Sequence, residues 1–214
     1  TGLLNGDGLD HDPYLRFLGL DRTRADGVAD FSTWYALLSS ETFAEIDQMP
    51  VDVSYLFLMR DPIDRLVSGV NHWARHYAKA PDRRARVAER FWHDALSADC
   101  DMHVRFSRYD LTIKSLEAVV PRDRIKYLFY EEITQPAARD ALAEFLGIEP
   151  HGPWEHTERI NAQSKTRFVP DDDERERAHA CLAATYATIH GRFRDSVPGA
   201  WLPPPGSAQA RSTP

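Results

Sequence analysis

Three side chains in the stretch VDVSYLFLMRDPIDRLVS, residues 51–68, have the types and spacing of an anion clamp. Arg60 closes an apolar run from Val53 to Met59, and Arg65 and Ser68 follow shortly after it. A guanidinium offers phosphate a bidentate fork, a hydroxyl adds a directional hydrogen bond, and a helix N-terminus contributes partial positive charge. Together they would hold a phosphate in a crevice of low dielectric. The same residues also admit a purely structural reading, in which Arg60 and Arg65 pair with Asp61 and Asp64 and merely cap a strand-helix turn.

The elements that must position these groups can be read from the pattern around them. The run Val53–Met59 lacks alternation and predicts a strand covered on both faces, as in a parallel α/β sheet. Pro62 ends it and opens a helix. Leu66, Val70, Trp73 and Tyr77 then form a core-facing stripe, with Arg65, Ser68 and His72 on another side. Upstream, Pro13–Leu20 reads as a short helix, and Ser39 or Ser40 caps another that buries Phe43 and Ile46. Downstream, residues 81–103 suit a surface helix with Ala88, Phe91, Trp92 and Ala95 inward. Phe106–Val120 predicts a helix and Ile125–Tyr130 a second strand. A helix from Pro136 buries Leu142, Phe145 and Leu146 and stops at Gly147. Asp171 to Glu174 start a last helix with Ala178, Leu182, Tyr186, Ile189 and Phe193 at core spacing.

Length and composition bound the function. The 214 residues suffice for one domain over 1–200, with residues 201–214, rich in Pro, Gly and Ser, as a disordered tail. A net charge of -7 argues against nucleic-acid partners, so an anionic ligand needs a local basic site. The two cysteines, Cys100 and Cys181, make neither a disulfide framework nor a zinc site. The acidic loop of residues 1–12 lacks EF-hand spacing, and the polar run from His93 to His103 lacks repeated ligand spacing, so no metal is expected. No membrane-spanning run, signal peptide or Asn-x-Ser/Thr site is found, and a cytoplasmic location is expected.

The segment Arg60 to Ser68, with its Arg-Asp-Pro, second Arg and Ser, resembles the 3'-phosphate-binding motif of sulfotransferases that use 3'-phosphoadenosine 5'-phosphosulfate (PAPS). Further stretches resemble the bacterial and carbohydrate-type branch in the correct order. Asp30-Phe31-Ser32 with Tyr35 is similar to a GD-x-S/T-P-x-Y stretch, with Thr33 in place of proline. Ser107-Arg108-Tyr109 is similar to an R-S-x-Y region, and YEEI…P…L…FLGI to the strand and helix that follow. Ser164-Lys165-Thr166-Arg167 is similar to an S-K-G-R loop, with Thr166 in place of glycine. The resemblance spans about residues 28–195.

The resemblance implies a P-loop-NTPase-like sulfotransferase fold with a central parallel sheet flanked by helices. It implies PAPS as co-substrate, 3'-phosphoadenosine 5'-phosphate as product, and transfer of a sulfuryl group to a hydroxyl or amine, on a carbohydrate or glycolipid by the closest motifs. Arg60 and Ser68 would hold the 3'-phosphate, with Arg65, Lys165 and Arg167 as further nucleotide-binding candidates. The strand, phosphate loop and helix that hold the 5'-phosphosulfate in such enzymes are not found before Pro13, so an N-terminally incomplete domain is expected. The usual Glu base would lie in that part, which leaves His72 as a candidate general base by residue type and helix face. A nucleotide kinase would need Gly-x-x-x-x-Gly-Lys-Ser/Thr, which the chain does not contain. The other reading is an inactive nucleotide- or partner-binding protein that keeps only the 3'-phosphate half-site.

Overall fold

The structure, a computed structural model, describes residues 11–19, 27–97, 102–149 and 167–201. In chain order the helices are α1 (His11–Phe17), α2 (Ser40–Asp47), α3 (Pro62–Tyr77), α4 (Pro81–Ala95), α5 (Met102–Arg105), α6 (Tyr109–Glu117), α7 (Pro136–Leu146), α8 (Asp172–Cys181) and α9 (Ala183–Phe193). Two strands, β1 (Tyr55–Met59) and β2 (Ile125–Phe129), pair in parallel. The expected α/β arrangement of a parallel sheet with helices is therefore present, with a two-stranded sheet among the described residues.

Contacts divide the described part into two units, one within Thr1–Leu56 and Leu111–Lys126, the other within Phe57–Asp110 and Tyr127–Pro214. In the first, the Arg124 guanidinium donates to the Val53 carbonyl at 2.6 and 2.9 Å and pairs with Asp47 at 2.8 Å. Thr112 donates to the Ala36 carbonyl at 2.8 Å, and Phe43 meets Tyr55 edge to face at 6.0 Å. The Asp30 carboxylate accepts from Tyr14 at 2.7 Å and from Tyr35, while Ser32 caps a short turn by accepting from the Trp34 N–H at 3.2 Å. The Asp-x-Ser…Tyr stretch thus acts as a local clamp.

The second unit holds the main core: Ile63, Leu66, Val70 and Ala74 of α3, Ala88, Trp92 and Ala95 of α4, Val104 of α5, and Phe168, Ala178, Leu182 and Tyr186. Burying such side chains is worth about 1.5–3 kcal/mol for each large one, and this packing holds α3 in place. Helix α3 starts well, with Pro62 in its first turn and Asp61 accepting from the Asp64 N–H at 2.9 Å. Helix α7 ends as expected at Gly147, whose φ of 65° suits glycine. Asp171 and Glu174 form a capping box at the start of α8.

Several expectations are corrected. The buried stripe of α3 runs through Ile63, Leu66, Val70 and Ala74, whereas Tyr77 is 70% exposed. Alanine at 74 continues the 3.6-residue period that the bulkier aromatics had suggested one position earlier. Strand β1 is not covered on both faces, because Leu56 and Leu58 are 38% and 41% exposed. In α7 the buried residue is Ala143, and Leu146 is exposed. The last helix is two, broken at Leu182, and the α6 helix begins only at Tyr109.

Asp110 connects Arg108, which donates at 2.9 and 2.8 Å, with the buried Thr185 hydroxyl at 2.5 Å. Burial alone would raise its pKa, but the hydrogen bonds from Arg108 and Thr185 and the Arg108 charge prevail and hold it below the usual range. A carboxyl held low when folded contributes stability above its unfolded pKa, about 4, and loses it as pH falls through the folded value. Asp110→Asn is therefore expected to lower unfolding stability at pH 7 and to cost much less at pH 3. Urea unfolding at both pH values checks this, and an equal cost at both would contradict it.

Candidate functional site

The site is built on the corner where β1 becomes α3. The buried Asp61 carboxylate accepts from the Asp64 N–H at 2.9 Å and from the Tyr186 hydroxyl at 2.8 Å. Burial raises its pKa more than the N–H of Asp64 and the Tyr186 hydroxyl lower it. Two further side chains hold the backbone here. Tyr109 donates to the Arg60 carbonyl at 2.9 Å, and Glu131 accepts from the Asp61 N–H at 3.5 Å. The parallel register continues alongside, with the Tyr130 N–H on the Met59 carbonyl at 2.7 Å.

On this corner the structure brings Arg60 and Arg65 close enough for their charges to interact unfavourably. Arg60 lies over the Tyr130 ring at 5.3 Å and reaches Asp64 only at 3.8 Å. Asp64 is held more closely by Arg175, both of whose terminal nitrogens sit 3.2 Å from Oδ1. An exposed pair as long as Arg60–Asp64 is worth little, so Asp64 does not commit Arg60. Arg65 lies over the Phe106 ring at 4.9 Å, and no carboxylate of the described residues pairs with it. Burial is the main reason its pKa falls, with Arg60 adding to the effect and Tyr109 opposing it. The ion-paired structural reading is thus realised only for Arg60, and weakly. Asp61 pairs with neither arginine and serves as the helix cap.

Gly69 makes room for this arrangement. A Cβ at position 69 would lie 2.7 Å from Nη1 of Arg65. Ser68 is partly buried on α3 between these residues and His72. His72 is exposed, and its Nε2 lies 3.2 Å from Nε2 of His76. Burial, then the neighbouring His76, Arg75 and Arg65, lower the His72 pKa, which leaves its ring neutral near pH 7.

Arg167 is exposed at the start of the segment leading into α8. The next residue is fixed from α3, where the Asn71 amide donates to the Phe168 carbonyl at 3.0 Å and accepts its N–H at 2.9 Å. Phe168 itself packs on Trp92 at 5.6 Å. This two-way bond anchors the loop end that carries Arg167. Lys165 lies outside the described residues. Sequence reasoning missed Asn71, Gly69 and Tyr186 as supports of the site and had Tyr109 only as part of the stretch similar to R-S-x-Y. Asn71 carried a signal as an amide on the polar side of a helix, but nothing in one sequence ties it to a residue almost a hundred positions away.

A strand-helix corner with two arginines and a hydroxyl stands at a strand's carboxyl end beside a parallel strand, the position at which open α/β sheets bind their ligands. Residues 44–172, well over half of the chain, match the sequence model of the sulfotransferase domain, and the chain belongs to that family. It is similar to the crystal structure of a sulfotransferase from Alicyclobacillus acidocaldarius, with a TM-score of 0.59 and 20% identity over 90% of this chain and 74% of that one. At that identity the likeness supports the fold. Comparison with curated proteins gives no match. No helix among the described residues is long and apolar enough to cross a membrane.

Asp61→Ala removes the acceptor for both a cap N–H and a buried hydroxyl and is expected to cost about 2 kcal/mol. Asp61→Asn keeps an acceptor for the cap while removing the buried charge, and is expected to cost less than half as much. Chemical denaturation of the two variants checks the order, and equal losses would show that the acceptor role is misassigned.

Proposed function

We propose that the protein transfers a sulfuryl group from PAPS to a hydroxyl or amine acceptor, with its 3'-phosphate held by Arg60, Arg65 and Ser68. The observation that carries this reading is Arg65, a half-buried guanidinium stacked on Phe106 with no ion-pair partner among the described residues. A cation partly withdrawn from water in this way is stabilised by an anion, and a phosphate with two oxygens to offer matches the fork. Arg167, placed by Asn71 and Phe168, and Lys165 are further candidates for the nucleotide. Family membership supports the choice of PAPS, and the motifs similar to the carbohydrate branch support a sugar or glycolipid acceptor.

The acceptor's proton must leave as its oxygen or nitrogen attacks sulfur in line and the bond to the bridging phosphate oxygen breaks. His72 is the candidate for accepting it, because a neutral ring has a free lone pair. The departing 5'-phosphate takes up the bonding pair and is stabilised by nearby cationic groups.

Incubation with radiolabelled PAPS and a panel of sugars, glycolipids, phenols and amines tests the reaction. Transfer of label to an acceptor is the expected result. Nucleotide binding without transfer to any acceptor would overturn it and identify a binding protein with the 3'-phosphate half-site alone. Arg60→Ala is expected to weaken 3'-phosphoadenosine 5'-phosphate by about 2 kcal/mol, some thirtyfold, and adenosine 5'-phosphate far less. Equal losses for both nucleotides in calorimetric titration would remove Arg60 from the 3'-phosphate site.

Gly69→Ala separates site geometry from stability. Alanine favours a helix interior by up to about 1 kcal/mol, yet its Cβ must displace the Arg65 guanidinium. The variant is expected to be at least as stable as the wild type while binding the 3'-phosphorylated nucleotide several-fold more weakly. Unchanged affinity would show that Arg65 does not hold the phosphate.

A further inference from the structure

His72 and His76 stand one turn apart on α3, exposed, with their Nε2 atoms 3.2 Å from each other and ring centroids 4.8 Å apart. This contact is as compatible with a shared metal as with a shared proton. A cation placed at the usual metal–imidazole distance of about 2.05 Å from both nitrogens would subtend roughly 100° between them, between the square-planar and tetrahedral angles. Rotation about the last side-chain torsion of each ring can aim both lone pairs at that point, and such torsions are soft.

We infer that His72 and His76 form a two-ligand chelate for a borderline divalent transition-metal ion such as Zn2+, Ni2+ or Cu2+, which while bound occupies the lone pair His72 would use as a base. Helix α3 holds the pair in advance. It is capped at Asp61 and packed along Ile63, Leu66, Val70 and Ala74, so little order has to be gained on binding. The ring edges are further confined by Trp73, whose centroid is 6.1 Å from His72 and 6.0 Å from His76. Imidazole ligation selects borderline transition metals, whereas Mg2+ and Ca2+ demand a shell of oxygen donors in place of imidazoles. Among the described residues no third His, Cys, Asp or Glu joins such a group, so water or an anion would complete the coordination.

The test is calorimetric titration of the full chain with NiCl2, ZnCl2 and MgCl2, comparing wild type with His72→Ala, His76→Ala and His93→Ala. The last is needed because the chain holds 9 histidines, any of which can bind weakly. The expected result is one Ni2+ or Zn2+ site that loses at least tenfold in affinity in either α3 variant and is unchanged in His93→Ala, with no Mg2+ binding. Circular dichroism confirms that the exposed substitutions leave the fold intact, and His76→Gln serves as a second, helix-compatible variant. Wild-type affinity retained in His72→Ala or His76→Ala, or the same loss in His93→Ala, would overturn the site. Pulsed electron paramagnetic resonance of the Cu2+ form should show two imidazole nitrogens, and a single one would equally contradict it.

Discussion

The buried carboxylate of Asp61 is the constraint on which the site depends. It stands at the N-terminus of α3, where unsatisfied N–H groups and the helix dipole favour an anionic cap. Its second oxygen receives the Tyr186 hydroxyl from α9, so one side chain fixes both where the helix begins and what it packs against. Burial works against the charge, as the raised pKa shows, and the two hydrogen bonds offset that cost. Once the first turn is fixed, helical phase alone decides the directions of Arg65, Ser68, His72 and His76. The aspartate of the Arg-Asp-Pro motif therefore sets the geometry of the candidate site without pairing with its arginines.

The same economy governs the arginines. Had Asp61 paired with Arg60 or Arg65, the corner would be electrostatically closed. The carboxylates are diverted instead, Asp61 to the cap and to Tyr186, and Asp64 to Arg175. What remains is one arginine loosely paired over Tyr130 and another stacked on Phe106, with Gly69 leaving space for its guanidinium. Removing cations from water without a full set of partners is unfavourable, and the proposed phosphate would relieve it. Asn71 extends the arrangement by tying Phe168, next to Arg167, to the same helix.

Much of this was legible in the sequence where local rules operate. The apolar run ending at Arg60, the proline that opens α3, the glycine that ends α7 and the capping box at Asp171 all depend on near neighbours, and the structure has them in place. The α/β architecture followed from the order of those pieces, and the family from the resemblance of Arg60–Ser68 and the later stretches to its motifs. The misreadings occurred where burial is decided by distant packing. Tyr77 and Ala74 both fit a helical stripe, and only the fit of α3 against α4 buries the smaller residue. Strand β1 is uniformly apolar, yet two of its leucines remain exposed. At the site, the residue types predicted an anion, but the carboxylate partners that decide whether Arg60 and Arg65 remain available could not be read from spacing. Tyr186 and Arg175 lie more than a hundred positions from the aspartates they hold.

A crystal structure of the chain with 3'-phosphoadenosine 5'-phosphate would test the central claim most directly. The account predicts the 3'-phosphate within hydrogen-bond distance of the Arg60 and Arg65 guanidinium groups and the Ser68 hydroxyl, with Asp61 still bonded to Tyr186. A nucleotide bound elsewhere, or one whose 3'-phosphate faces solvent while Arg65 stays on Phe106 without an anion, would contradict it.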